Sequence, residues 1–226
     1  MSLFENKNSP EKRRKINSKK IKKLGIAWCK NLPLLEDSSI IKSRDIDNIC
    51  KRAIACLIST QIACDIAEEQ DYNESRDIFT NLLHKYGVQD ALLGKEKTLF
   101  NGTFTEQDAI DIMWTYEAYW ALVWALGLVK DIEMPDSICD CQKAVFLVSD
   151  CQNYEEFKDR CKLRNIEEIL DMLDLYYQYH WAVTEKRINP NTYIGDLNSD
   201  VVIERRRGLE WLISNIDDWN EISLDT

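Results

Sequence analysis

The sequence predicts an all-α fold, a single domain in which several helices pack in an irregular arrangement. Glycine and proline, which punctuate all-β folds, number only seven and four among 226 residues. Apolar residues recur at helical spacing in several long segments, and cap residues mark the ends of those segments. We expect residues 9–226 to form the domain and residues 1–8 to be a flexible N-terminus. The apolar run at residues 144–148 fits a strand or a buried helical turn, which leaves one short β-hairpin open.

Three helices are predicted in the N-terminal half. Residues 9–24 form a basic helix with few apolar anchors. Ser43 suits the N-cap of a long helix that ends near Glu69, because apolar residues follow at the i, i+3, i+4 spacing. A third helix covers residues 74–86, and the glycine after it fits the left-handed position that often ends a helix.

Three longer helices are predicted in the C-terminal half. Thr105 is followed three residues later by an aspartate, which resembles a capping box and begins a helix that runs to about residue 129. A short helix begins near Tyr154. Strong apolar periodicity then predicts helices over residues 165–187 and 200–214.

Charge is distributed unevenly along the chain. The net charge is −10, yet residues 1–30 hold ten basic residues against two acids, so the rest of the chain carries −18. An acidic body argues against nucleic-acid binding over most of the surface and suits a basic protein partner. We expect the basic N-terminal helix to lie against the acidic body of its own domain. The alternative is that this segment contacts RNA, an anionic lipid or an acidic partner.

The sequence shows neither a secretory signal nor a membrane span. Its most apolar run covers twelve residues, 118–129, whereas a spanning helix needs about 20, so we interpret the run as a core helix of a cytoplasmic protein. The eight cysteines are then expected to be free thiols. Cys139 and Cys141, followed by Cys151 and Cys161, lack the paired spacing of a structural zinc site, so we predict no metal and no cofactor.

Ionisable residues fall on apolar faces of three predicted helices. Glu117, His180 and Arg205 each lie on such a face, and Asp174 lies at the edge of one, whereas Arg206 lies elsewhere on its helix. Because a lone buried charge is costly, these groups must pair. We predict that Arg205 contacts Glu117, with His180 and Asp174 close by. Such a cluster either fixes the register of the helices or forms a pocket in which pKa values are perturbed.

Large aromatic residues accompany the same helices, and they suit either a small-molecule pocket or ordinary core packing. The candidate lining residues are Trp114, Trp120, Trp124, Tyr177 and Trp181.

Several motifs occur in an order that resembles domain of unknown function family 4272. They are Arg13-Arg14, Leu32-Pro33, Arg52-Ala53, Trp114-x-x-Glu117, Leu122 to Gly127, Asp174-Leu175, His180-Trp181, Glu204-Arg205-Arg206, Leu209-x-Trp211, Trp219 and Asp225-Thr226. The resemblance covers nearly the whole chain and implies a bacterial protein of the same fold, but no activity. One departure is Tyr177 to Tyr179, where the family pattern has an arginine shortly before the histidine.

Common catalytic and nucleotide-binding signatures are absent from the sequence, including the P-loop, G-x-G-x-x-G, H-E-x-x-H and G-x-S-x-G. We therefore expect a non-catalytic cytosolic binding protein with an acidic surface, immunity- or adaptor-like, acting as a monomer or homodimer. The alternative is a small hydrolase-like enzyme. It would use Glu117 or Asp174 as base, His180 as acid or base, and Arg205 to hold an anion.

Overall fold

A computed structural model describes residues 9–226, and the expected flexible N-terminus, residues 1–8, lies outside that range. The described residues form α-helices, two short 3-10 turns (Gln89–Ala91 and Trp219–Glu221) and no strand, which confirms the all-α prediction. The helices are α1 (Pro10–Lys23), α2 (Ile46–Ala67), α3 (Tyr72–Tyr86), α4 (Gly94–Asn101), α5 (Glu106–Ala125), α6 (Cys141–Ser149), α7 (Tyr154–Asp159), α8 (Ile166–Ile188) and α9 (Ser199–Ile213).

The hairpin expected as an option at residues 144–148 does not form, because this run lies inside α6. Asp140 caps that helix by accepting a hydrogen bond from the backbone N–H of Lys143. Ala144, Leu147 and Val148 are buried. Their spacing is that of one helix face rather than the alternation of a strand.

Helix ends follow local cap chemistry. Thr105 and Asp108 form the predicted capping box of α5. Asp45, not Ser43, caps α2, since its carboxylate accepts from the backbone N–H of Asp47. The end of α5 was predicted near residue 129, but Gly127 takes a φ of +77° just after the helix and stops it earlier.

The centre of the molecule is α5, which packs against α2 on one side and α9 on the other. Every residue from 115 to 126 is buried, so this helix is apolar around most of its circumference. Gly208 allows α9 to approach closely, because a Cβ atom there would lie 2.6 Å from the carbonyl oxygen of Ala118. Outside this centre, α9 packs on α8, and α8 carries α1.

Among residues 9–226, no helix combines the length and the apolarity needed to cross a bilayer. All eight cysteines carry free thiols.

Candidate functional site

The predicted contact between Arg205 and Glu117 is confirmed, and both side chains are buried and hydrogen-bonded to other protein groups. Arg205 Nε donates to Glu117 Oε2 at 2.8 Å, and the two residues are 4% and 2% exposed. The other carboxylate oxygen accepts from the backbone N–H of Cys139 at 2.6 Å. The remaining guanidinium nitrogens donate to Ser137 O at 3.2 Å and to Tyr176 Oη at 3.4 Å. We call this group the central pair.

Asp174 does not join the central pair, contrary to our expectation. Its carboxylate is fully buried and accepts from Arg14 Nε at 2.8 Å, Asn17 Nδ2 at 3.0 Å and Gln178 Nε2 at 2.9 Å. Arg14 also donates to the carbonyl oxygens of Leu32 and Pro33, at 2.6 and 2.7 Å. The cation that neutralises Asp174 therefore comes from α1, at the other end of the chain from Arg205.

His180 also has a partner of its own and makes no hydrogen bond to the central pair. Arg206 Nη1 lies 2.7 Å from His180 Nδ1. Because a guanidinium only donates, Nδ1 must accept, and the imidazole is neutral. Burial and the charge of Arg206 lower the pKa of His180 to about 4. Arg206, placed outside the apolar face by the sequence, is only 3% exposed and also binds Glu210.

The ring of Tyr177 lies between the two arginines that bind Asp174 and His180. The ring centre lies 5.8 Å from the guanidinium carbon of Arg14 and 4.4 Å from that of Arg206. Both cations therefore contact the aromatic ring, in the geometry of a cation–π interaction. We call Asp174, His180, Arg14, Tyr177 and Arg206 the terminal cluster, because it joins α8 to α1, α9 and the C-terminal segment.

The departure from the family pattern at Tyr177 thus has a structural context. In the stretch from Tyr177 to Tyr179, where the resemblance led us to expect an arginine, the ring of Tyr177 contacts arginines from α1 and α9. A second cation is present at the site, but it comes from other helices.

The other candidate lining residues divide into two kinds. Trp120 and Trp124 are core residues, 7% and 4% exposed. Trp124 also borders a small pocket of about 280 Å³ between α1 and α8. Trp181 is partly buried against the main core. Trp114 is partly exposed and forms a wall of a separate cleft.

Two further buried arginines, each paired with acidic residues, were missed by the sequence analysis. Arg52 and Glu96, 2% and 3% exposed, are joined by a hydrogen bond of 2.8 Å. The Arg52 guanidinium also lies 4.4 Å from the ring centre of Trp219. Arg13, 2% exposed, donates to Glu167 at 3.1 Å and to Asp171 at 3.0 Å. This last contact agrees with the expectation that the basic helix lies on the acidic body.

A helical wheel of α2 contains the signal for Arg52. The arginine lies three residues after Ile49 and four before Cys56, both fully buried, so it shares their face. No comparable signal exists for Arg13, because its helix has few apolar residues to define a face.

The cleft that Trp114 borders is lined by both carboxylates and cations. It holds about 400 Å³ between α4, α5 and α9. Arg207 Nε donates to both oxygens of Glu204, at 3.1 and 3.2 Å, while Lys95 pairs with Asp111. The lining residues are Lys95, Asp111, Trp114, Thr115, Asp200, Ile203, Glu204, Arg207 and Asn220.

The pKa values of two carboxylates in this cleft, Glu204 and Asp111, are shifted in opposite directions. Burial raises the pKa of Glu204 in spite of Arg207. Burial also acts to raise the pKa of Asp111, but hydrogen bonds from Lys95 and Gln107 outweigh it and hold that pKa below its ordinary value. Within the described range, no three His, Cys, Asp or Glu side chains are grouped so that they could hold a metal ion.

A family model described as "Domain of unknown function (DUF4272)" matches residues 12–222, which is most of the chain. No curated protein and no solved structure matched the chain.

Proposed function

The chain belongs to the DUF4272 family, and we propose that it is a non-catalytic binding protein of the bacterial cytoplasm. Its acidic surface captures a basic protein partner, as an immunity or adaptor protein does. The eight free thiols support a reducing location. The proposal rests above all on how the fold separates buried cations from exposed acids.

The fold places arginines inside and acids outside. Five arginines are buried (Arg13, Arg14, Arg52, Arg205 and Arg206). Only three acids are buried with them (Glu96, Glu117 and Asp174). The chain carries −10, and residues 1–8 contribute one lysine and one glutamate, so residues 9–226 also carry −10. Removing the buried excess of two positive charges leaves −12 on the remaining described side chains. A surface of this charge attracts a basic partner and accelerates encounter with it.

The exposed acids are densest where α2 turns into α3. Glu68, Glu69, Asp71, Glu74 and Asp77 are all exposed, and we call this group the acidic turn. Arg76 is the one basic residue in the sequence between residues 53 and 83. A surface with one sign of charge and few neutralising partners is typical of an electrostatic binding site.

Tyr72, which lies within the acidic turn, is held in place by two contacts. Tyr72 Oη donates to Leu99 O at 2.7 Å, and its ring centre lies 5.4 Å from that of Phe104. Ile78, beside the turn, is 51% exposed. A fixed acidic rim with an apolar residue next to it fits the composition of protein–protein interfaces.

The contacts of Glu117, Asp174 and His180 argue against the catalytic roles that the enzyme alternative assigns to these three residues. Both carboxylate oxygens of Glu117 and of Asp174 already accept hydrogen bonds from protein groups. His180 is neutral and, with its lowered pKa, does not act as a general acid near pH 7. These contacts suit a role in holding the fold together.

The test is affinity capture from a bacterial lysate at low and at high salt. We expect the captured proteins to be basic and to be released at about 0.5 M salt, where the Debye length falls to a few ångströms. The triple variant Glu68→Lys, Glu69→Lys and Asp77→Lys should lose capture.

The matched control reverses three exposed acids in and beside α7, which contacts the first turn of α2, whereas the acidic turn follows its last turn: Asp150→Lys, Glu155→Lys and Asp159→Lys. It makes the same change of net charge and should retain most of the capture. The proposal is wrong if the captured proteins are not basic, or if both triple variants behave alike.

A second candidate, a small hydrolase-like enzyme, is supported by the cleft that contains Trp114. Two carboxylates whose pKa values move apart, such as Glu204 and Asp111, fit a general acid and a base. Ester, phosphoester and glycoside substrates should then be turned over by the native protein and not by Glu204→Gln. Absence of turnover across the three classes would exclude this candidate.

A further inference from the structure

The two sides of α1 carry different kinds of cation. Arg13 and Arg14, only 2% and 8% exposed, pair with carboxylates of α8. The lysines of the same helix lie on its other side, and they are exposed. Packing on α8 therefore uses the arginines and leaves the lysines at the surface. We call the following group the lysine face: Lys12, Lys15, Lys19, Lys22 and Lys23.

The lysine face has almost no counter-charge. Lys20, beside it, pairs with Glu133, but none of the five lysines of the face forms an ion pair with any residue from 9 to 226. Glu11 is the one acid in the sequence between residues 9 and 30. Five positive charges therefore lie along about three turns of helix, on a chain whose net charge is −10. Such a cluster attracts an anionic surface.

Large apolar side chains lie among these lysines. Ile16 is 54% exposed and lies four residues after Lys12, on the same side of the helix. Leu24, directly after the helix, is 46% exposed, and Trp28 is 37% exposed. The Nζ atom of Lys22 lies 3.5 Å from the ring centre of Trp28, so the ring is held next to the lysines. Positive charge combined with exposed apolar groups is typical of segments that bind membrane surfaces.

We propose that the lysine face and the apolar residues beside it bind the surface of an anionic phospholipid bilayer. The lysine ammonium groups contact lipid phosphates, while Ile16, Leu24 and Trp28 enter the boundary between headgroups and acyl chains. A tryptophan suits this depth, because its ring is apolar and its N–H is polar. The acidic remainder of the chain is repelled by the same lipids, which orients the protein with α1 toward the bilayer.

The chemistry of the exposed groups favours lipid over nucleic acid. Both arginines between residues 9 and 30 are buried, so this surface lacks the planar guanidinium that suits nucleic-acid phosphates and stacks on bases. A lysine is a point charge on a long aliphatic stem, which lets its ammonium group reach a phosphate while the stem stays against apolar groups. The aliphatic side chains of Ile16 and Leu24 gain little along an RNA strand, whereas a bilayer buries them.

Sedimentation with lipid vesicles tests the proposal. The full-length protein is mixed at low salt with vesicles of equal parts phosphatidylcholine and phosphatidylglycerol, or of phosphatidylcholine alone. We expect it to sediment with the anionic vesicles only, and to be released in large part as added salt shortens the Debye length. Polyuridylate, a single-stranded RNA, should displace little of the protein at the same concentration of phosphate.

A first pair of variants tests the charge. Replacing three lysines of α1 together should weaken vesicle binding by about ten-fold or more, because each lysine near an anionic bilayer contributes to binding. The substitutions are Lys12→Gln, Lys15→Gln and Lys19→Gln. The matched control makes the same change of net charge at three exposed lysines outside α1 and should retain most of the binding: Lys97→Gln, Lys143→Gln and Lys162→Gln.

A second pair tests the apolar contact. Ile16→Ser with Leu24→Ser should lower the fraction that stays bound at about 0.5 M salt, where charge is screened and insertion is not. Ile138→Ser with Phe146→Ser, at exposed apolar residues elsewhere, is the control. All four variants change exposed side chains, so their unfolding midpoints should match that of the native protein. The proposal is overturned if the native protein does not bind the anionic vesicles, if it prefers polyuridylate, or if either α1 variant behaves like its control.

Discussion

The central pair and the terminal cluster both consist of buried charges, yet they hold different parts of the chain. The central pair joins α5 to α9, next to the close approach at Gly208, and the loop backbone at residues 137–139 completes it. The terminal cluster joins α8 to α1 on one side and to the C-terminal segment on the other, where Arg206 donates to Leu224 O at 3.0 Å.

The comparison shows that burial alone does not identify a catalytic group in this protein. In the central pair one acid meets one cation, and each guanidinium nitrogen and each carboxylate oxygen has a hydrogen-bond partner within the fold. The terminal cluster contains two cations, Arg14 and Arg206, around an aromatic ring, and a histidine that Arg206 keeps neutral. The first cluster therefore secures the helix core, and the second ties both chain ends to it.

The largest effect should come from breaking the central pair. Glu117→Gln leaves Arg205 buried without a counter-charge, and we expect a loss of about 3–5 kcal/mol in the free energy of unfolding. Urea unfolding measures it. The double variant Glu117→Met with Arg205→Met should recover most of the loss, because no unpaired charge remains.

An exposed ion pair provides the control for that measurement. Lys20 and Glu133 are bonded at 2.6 Å, but their side chains are 43% and 49% exposed. Glu133→Gln should therefore change the free energy of unfolding by less than about 1 kcal/mol. Equal losses for Glu117→Gln and Glu133→Gln would show that the central pair has no special structural role.

A smaller and more local effect should follow from Asp174→Asn. Arg14 keeps its bonds to the carbonyl oxygens of Leu32 and Pro33, so we expect a loss of about 2–3 kcal/mol. The loss should fall on the attachment of α1, which hydrogen exchange detects as faster exchange in residues 10–23 while α5 stays protected. Uniform loss of protection would contradict the division between the two clusters.

Apolar periodicity was sufficient to predict the fold class, most helices and the contact between Arg205 and Glu117. Both residues belong to helices with a clear apolar face, and a guanidinium buried on one such face needs a carboxylate on another. The wheel also placed Asp174 and His180 inward. It did not identify their hydrogen-bond partners, because a wheel shows which way a side chain points but not which helix lies opposite.

The partners of the terminal cluster lacked any such signal. Arg14 lies on a helix of very low apolar content, and Arg206 was placed away from the apolar face of α9. Arg206 is buried because the C-terminal segment folds back over it, which is a tertiary contact that periodicity does not contain. The cleft beside Trp114 was missed for the same reason, since its lining comes from α4, α5 and α9 together.

The smallest effect we expect is a dependence of the free energy of unfolding on pH, which arises from His180 in the terminal cluster. The folded-state pKa of His180, about 4, lies below its ordinary value of 6.5, so between these values the unfolded chain binds a proton that the folded protein does not. The stability contributed by the neutral imidazole is therefore complete above about pH 6.5 and is lost as the pH falls through 4.

We expect this loss to be about 1–2 kcal/mol, less than the full shift implies, because the imidazole keeps some access to solvent. His180→Gln keeps an acceptor for Arg206 but cannot titrate, so its free energy of unfolding should depend less on pH than that of the native protein. Urea unfolding at pH 7 and pH 4.5 measures the difference, and His84→Gln, at an exposed histidine, is the matched control. If His180→Gln and the native protein lose stability in parallel, the imidazole is protonated in the fold, and the terminal cluster does not depend on its neutral form.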